Sequence, residues 1–207
     1  MSDDPDLASA YALQSADDNR ALYARWADSY DTGFVAENDY VLHLAVAEAF
    51  AEAGRGPVLD IGAGTGVCGA ALHALGCGPV DATDLSHEML EQAGRKGVYR
   101  TLFPGDILKG LEVPTGSYAG IVSSGTFTHG HVGPDALDEV VRLLAPAGVA
   151  VLSVNSAHFE AQGFAAKLEA LQPSLEDQTL RDVAIYGPAA THAHAADRAT
   201  LVIMTRA

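Results

Sequence analysis

The chain has 207 residues, 48% of them hydrophobic, which suits one domain with a sizeable core and leaves little length for a second. Its 12 Lys and Arg face 27 Asp and Glu for a net charge of −15, with no basic cluster, so a nucleic-acid partner is not expected. The first twenty residues lack the basic start and apolar stretch of a secretory signal, and no apolar run is long enough to span a bilayer, so a cytoplasmic location, no membrane contact and a small-molecule ligand are expected.

The chain opens on an acidic stretch with a helical pattern in ALYARWADSY, where Tyr23, Trp26 and Tyr30 fall at i, i+3 and i+7 on one helix face. A second helix is predicted over residues 39–53, closed by Gly54 in the C′ position. A buried strand then runs into the glycines of VLDIGAGTG, residues 58–66, and GVCGAALHALG is a helix closed by Gly76. Cys68 and Cys77 lie in this Ala-rich sequence and read as small core hydrophobes in a reducing compartment. A second strand ends at Asp84, and a helix follows with Ser86 as N-cap. Strand three is predicted in VYRTLFPGD and strand four in YAGIVSSG. A helix over residues 134–148, a fifth strand over 148–155 and a helix over 158–173 come next. DVAIYG and ATLVIMTRA close the chain as two strands with only a turn-rich stretch between them.

Strands alternating with helices predict an α/β fold, a Rossmann-like doubly wound sheet of seven strands. The final pair lacks an intervening helix and can form a hairpin, so the sheet is mostly parallel with one antiparallel strand near the C-terminus. The whole of 1–207 reads as one domain, with N-terminal helices over 1–53 as a lid and a Rossmann-like core over 54–207.

The glycine loop carries the strongest functional signal. Gly62, Gly64 and Gly66 permit a tight turn and close approach to a ligand, in a G-x-G-x-G spacing one residue shorter than the dinucleotide fingerprint, since Val67 follows. Asp84 lies 18 residues beyond the last glycine, close to where a carboxylate accepts from a ribose diol. Asp60 beside the glycines suits a cationic amino-acid tail better than a pyrophosphate.

With these residues in view, the sequence resembles the class I S-adenosylmethionine-dependent methyltransferases. VLDIGAGTG looks like their first motif, DATDLSHEML like the segment after strand two, PGDI like the motif after strand three, and VRLLAPAGVAVL like the approach to strand five, with Ala147 where the first of two glycines usually stands. RWADSYDTGF and SSGTFTHGHVGPDAL are similar to the Williams-Beuren region methyltransferase-like proteins. The resemblance implies S-adenosyl-L-methionine as cofactor. It implies that Asp60, Gly62, Ala63 and Gly64 hold the methionine portion, with Ser123 and Ser124 beside them. Asp84 would bind the ribose hydroxyls, Leu85 and Met89 would pack on the adenine, and Asp106 with the Ile107 amide would contact its edge. Tyr23 and Tyr30 would close over the cofactor.

Methyl transfer requires an aligned nucleophile and exclusion of water, helped by a base when the acceptor carries a proton. His129 is the catalytic candidate, with His131 as the alternative base. Their spacing offers only Asp135 as a further metal ligand, so no metal is expected. Asn155 and His158 follow strand five within reach of a pocket, and the helix after them is expected to complete the lid. His192 and His194 read as exposed turn residues. The expected function is a methyltransferase for a small-molecule acceptor. A cofactor-binding protein without transfer activity is the alternative, and a nucleotide-dependent oxidoreductase is disfavoured by the glycine spacing. The sequence leaves the acceptor atom and a homodimer open.

Overall fold

The computed structural model describes the backbone of residues 16–128 and 131–207, and side chains from residue 21 onward. Helix α1 (Ala16–Trp26) and a π-helical turn (Asp31–Val35) precede α2 (Leu42–Ala53). The core then alternates β1 (Val58–Ile61), α3 (Val67–Ala74), β2 (Val80–Asp84), α4 (His87–Arg95), β3 (Thr101–Pro104), β4 (Tyr118–Phe127), α5 (Ala136–Leu143) and β5 (Leu144–Asn155). Short helices α6 (Ser156–Ala161) and α7 (Phe164–Leu171) lead to β6 (Leu175–Ala184) and β7 (Arg198–Arg206). The seven strands form one sheet in the order β3-β2-β1-β4-β5-β7-β6. Strands β1 to β5 are parallel, and β7 runs antiparallel to both β5 and β6, so it is the single reversed strand. The order reverses between β1 and β4, and open α/β sheets bind ligands at the carboxyl ends of strands beside such a switch point.

The strand pleat divides the core into two layers. Val149 and Val151 of β5 join the apolar cluster built with α2 and α3, while Ala150, Leu152 and Val154 join the cluster built with α5 and α7. Burial on both faces explains why β1 reads as a continuous apolar run interrupted only by Asp60. No helix among the described residues is long and apolar enough to cross a membrane.

Several predicted boundaries move. Gly54 does not close α2 in the left-handed conformation, since its backbone is extended (φ −68°, ψ 156°). Glycine is needed there because a Cβ would fall 2.3 Å from the ring of Phe50. The predicted helix over residues 158–173 is two helices, broken at Gly163 (φ +77°). The second packs through Phe164 and Leu168 on the α5 side of the core, and neither helix lines the two cavities described below. Strand β6 begins at Leu175, well before the predicted DVAIYG segment; its alternation is hidden because most of its residues are exposed on an edge strand. Strand β5 starts at Leu144, which leaves α5 shorter than predicted. Ala147 adopts φ +58°, the conformation that glycine would occupy without the Cβ penalty.

Candidate functional site

The glycine turn after β1 is held from three directions. Gly62, Gly64 and Gly66 all have positive φ (+66°, +55° and +87°), which L side chains rarely adopt. The amides of Gly62 and Ala63 donate to the Thr83 carbonyl of β2 at 2.8 and 3.1 Å. The Gly64 amide donates to Asp84 Oδ2 at 2.8 Å, and the Ser86 amide donates to Asp84 Oδ1 at 2.9 Å. Both carboxylate oxygens of Asp84 are thus anchored by the backbone while the residue still lines the cleft. On the β4 side, Thr126 Oγ1 donates to the Ile61 carbonyl at 3.2 Å. Ser86 caps α4 as its sequence position predicts, accepting from the Met89 amide at 3.2 Å.

A cleft enclosing about 880 Å³, part of it open solvent, lies at this end of the sheet. Gly62, Gly64, Asp84, Leu85, Met89, Asp106, Ile107, Tyr23 and Tyr30 all line it, so the structure brings most of the sequence-predicted site together. Asp106 also receives the Leu108 amide at 3.0 Å and pairs with Lys109 at 2.9 Å. Two carboxylates thus border the cleft, and no Lys or Arg lines it among the described residues.

Asp60 is placed differently. It is fully buried and does not line the cleft. Tyr99 donates to its Oδ2 at 2.7 Å, while Oδ1 has no hydrogen-bond partner. Gly69 makes this contact possible, because a Cβ there would sit 2.2 Å from the Tyr99 hydroxyl. Burial is the main cause that pushes the Asp60 carboxyl up to about 7, helped by the charge of Asp84 and opposed by the Tyr99 hydrogen bond. Burial also raises Asp84, while the amides of Ser86 and Gly64 oppose it.

The Asp60 shift has a consequence for stability. Between the ordinary aspartate value near 3.8 and about 7, the folded chain binds a proton at Asp60 that the unfolded chain has released. Stability contributed through this group therefore falls as pH rises across that window. Asp60→Asn should remove the dependence, so its melting temperature, measured from pH 4.5 to 8, should gain on wild type as pH rises. A difference that stays constant across the range would show that Asp60 titrates normally.

Ser123 and Ser124 do not line the cleft; Gly125 and Thr126 do. The reason is that β4 continues to Phe127 instead of ending near Gly125, with an irregular register between Ser123 and Phe127. Ser123 lies inside the sheet and donates to the Ile61 carbonyl at 2.7 Å, and Ser124 shares a 3.2 Å hydrogen bond with the Tyr40 hydroxyl. Ala63 is buried and contributes only its backbone to the turn. Thr83, Gly105 and Thr126 line the cleft without having been singled out from the sequence. Thr83 had a local signal, as the residue before the strand-end acid, whereas Thr126 had none, because its role depends on where β4 ends. His129 lies outside the described residues. His131 lines the cleft and meets the Tyr23 ring edge-on, with centroids 5.8 Å apart.

The N-terminal elements are tied to the core beside the cleft by side chains. Asp31 accepts from Thr65 of the glycine loop and pairs with Lys96 after α4. Beyond Tyr23 and Tyr30 lies a second cavity of about 550 Å³, which shares those two residues and Gly125 with the first. Asn155 at the end of β5 lines it, as do Tyr40 and Tyr186. His158 instead is buried, with Nε2 3.0 Å from the Val132 carbonyl. His192 and His194 are half-buried and not exposed: His192 meets the Tyr186 ring edge-on at 4.4 Å, and His194 lies 3.1 Å from Asp197.

Comparison with known proteins is consistent with this geometry. Residues 58–148 match the profile of a methyltransferase domain. The human methyltransferase-like protein 27 is 30% identical over 141 residues, which cover 65% of this chain and 57% of the human protein. The chain thus spans little more than half of that relative's length. Among solved structures, a TehB-like S-adenosylmethionine-dependent methyltransferase from Corynebacterium glutamicum superposes with a TM-score of 0.62 at 21% identity, covering 90% of this chain and 99% of that one. DhpI in complex with S-adenosylhomocysteine gives 0.62 at 20% identity, covering 90% and 93%. A methyltransferase from Mesorhizobium loti gives 0.57 at 19% identity, covering 78% and 96%. At these identities the structures speak for the fold.

Proposed function

We propose that the chain is a class I methyltransferase that transfers the methyl group of S-adenosylmethionine to a small-molecule acceptor, a reading supported by the match of residues 58–148 to the profile of a methyltransferase domain. The observation that supports this reading best is the charge of the cleft wall: Asp84 and Asp106 line it, buried Asp60 stands next to its glycine turn, and no Lys or Arg lines it among the described residues, Lys109 pairing with Asp106 from outside the lining. Such a site suits a sulfonium with an ammonium tail and disfavours a pyrophosphate.

The residues present fit the cofactor. Gly64 has nothing within 4 Å of where a Cβ would stand, so its backbone is open to a ligand. Thr83, which lines the cleft, has a buried Oγ1 without a hydrogen-bond partner that a bound molecule's donor could reach. Asp84 would hold the ribose hydroxyls, Leu85 and Met89 the adenine faces, and Asp106 with the Ile107 amide the adenine edge. The turn from Asp60 to Gly64 would hold the methionine portion, with Thr126 on the β4 side.

When bound, the cofactor supplies a methyl group on a sulfonium that is already a good leaving group. The chain's part is to orient and to exclude water. Tyr23 and Tyr30 stand between the two cavities and would shield the reacting centre. The histidines of the loop after β4, His131 and His129, would take the proton of an acceptor that carries one.

The test combines calorimetry with a label. S-Adenosylhomocysteine should bind and NAD should not, and methyl label from S-adenosylmethionine should move to the small-molecule fraction of a metabolite extract. Binding without any transfer would leave a cofactor-binding protein, and binding of NAD alone would overturn the cofactor.

A further inference from the structure

The second cavity has a chemistry of its own. Tyr23, Tyr30, Phe34, Tyr40 and Tyr186 form a continuous series of rings, each touching the next, with centroid separations of 6.0, 4.9, 5.4 and 6.0 Å. All five line the cavity. They come from α1, the turn after it, the segment before α2, and the loop between β6 and β7. No Lys, Arg, Asp or Glu lines it among the described residues. Burial also raises the phenols of Tyr23, Tyr30 and Tyr40 far above neutral pH, so these rings stay uncharged.

Besides the tyrosine hydroxyls and Thr128, two residues at the β5 end offer donors. Asn155 Oδ1 accepts the His158 amide at 3.2 Å, which leaves Nδ2 to donate. Ser153 Oγ accepts the Gly125 amide at 3.0 Å, which leaves its hydroxyl hydrogen. Both residues line the cavity. The cavity is therefore walled largely by aromatic residues and carries hydrogen-bond donors at the β5 end.

We infer that this cavity is the acceptor site and takes an uncharged, planar aromatic molecule bearing a hydrogen-bond-accepting oxygen or nitrogen. The inference rests on the methyltransferase reading above. Carboxylate and phosphate acceptors are disfavoured because a buried anion would have no cationic partner. A protonated amine gains from the ring faces but meets no carboxylate, and it has no lone pair with which to attack. In the transfer the acceptor's oxygen or nitrogen forms a bond to the methyl carbon as the carbon–sulfur bond breaks. The bonding pair stays on sulfur, and the acceptor's proton leaves to a histidine of the loop after β4 or to water.

The experiment titrates 2-naphthol, 2-naphthoate and 2-naphthylmethylammonium into the full chain saturated with S-adenosylhomocysteine. 2-Naphthol should bind at least tenfold more tightly than either charged probe, and it should accept labelled methyl from S-adenosylmethionine. Tyr186→Leu should weaken naphthol binding at least fivefold and leave S-adenosylhomocysteine affinity within twofold, because Tyr186 lines only the second cavity. Thr128→Lys, at a half-buried position on the cavity wall, should narrow the preference for naphthol over naphthoate at least fivefold. Equal or tighter binding of a charged probe, or no naphthol binding by a chain that binds S-adenosylhomocysteine, overturns the acceptor class alone. Failure to bind S-adenosylhomocysteine overturns the methyltransferase reading and the acceptor class with it.

Discussion

Asp84→Ala is expected to weaken S-adenosylhomocysteine binding by ten- to a hundredfold, about 1.4 to 2.8 kcal/mol, with little loss of fold. Two effects add. The carboxylate's remaining lone pairs would no longer meet the ribose hydroxyls, and hydrogen bonds to a charged group are worth roughly 1.5–3 kcal/mol each. The Gly64 and Ser86 amides would also lose their shared acceptor, so the glycine turn would be less well formed before the ligand arrives. Stability is expected to change less, because burial already disfavours the ionised Asp84 and its charge also raises Asp60. Asp84→Asn keeps one oxygen to accept and should fall between the two. Calorimetry on variants with an unchanged thermal transition is the measurement. An Asp84→Ala protein that binds as tightly as wild type would mean that the ribose is held elsewhere.

Gly62→Ala and Gly64→Ala should separate two roles that the sequence presents alike. At Gly62 a Cβ would stand 2.0 Å from Thr126 Oγ1 and 2.8 Å from its Cγ2. Thr126 cannot turn aside freely, since Oγ1 donates to the Ile61 carbonyl. Overpacking of this kind costs roughly 1–3 kcal/mol, and the left-handed conformation adds about 1–2 kcal/mol. A loss of about 3 kcal/mol, read from the denaturant midpoint, is therefore expected for Gly62→Ala. At Gly64 a Cβ meets nothing within 4 Å, so only the conformational penalty of about 1–2 kcal/mol applies. The new methyl would intrude on the space left for the ligand, and affinity should fall more than stability. Gly62→Ala combined with Thr126→Gly should recover the packing part of the loss. Equal stabilities for the two single variants would show that Thr126 gives way without cost.

The glycine turn, the acid ending β2 and the Ser86 cap were legible in the sequence because each answers a local requirement. A left-handed turn favours glycine, a helix start needs a capping oxygen, and a strand-to-helix loop fixes its neighbours within about twenty residues. The parallel sheet and its one reversed strand were legible for a related reason: the alternation of elements dictates which connections can cross over. The ends of β4 and β6 were not. Where a strand stops depends on its pairing partner, and β4 runs past Gly125 because β5 extends to Asn155 beside it. Ser123 and Ser124 consequently lie within the strand, and Thr126 takes the place at the cleft.

What the sequence by itself determined was the part of the cleft between Ile61 and Leu108, at the ends of three consecutive strands, where spacing along the chain fixes the neighbours. What only the tertiary structure decided was the burial of Asp60 behind Tyr99 and the assembly of the aromatic cavity. Tyr40 and Tyr186 are separated by most of the chain, yet they form an isolated antiparallel bridge, with rings 6.0 Å apart. Periodicity and spacing report on the few residues nearest in the chain. A contact between an N-terminal segment and the last hairpin is set by how the whole sheet brings its edges together, and no local pattern encodes it.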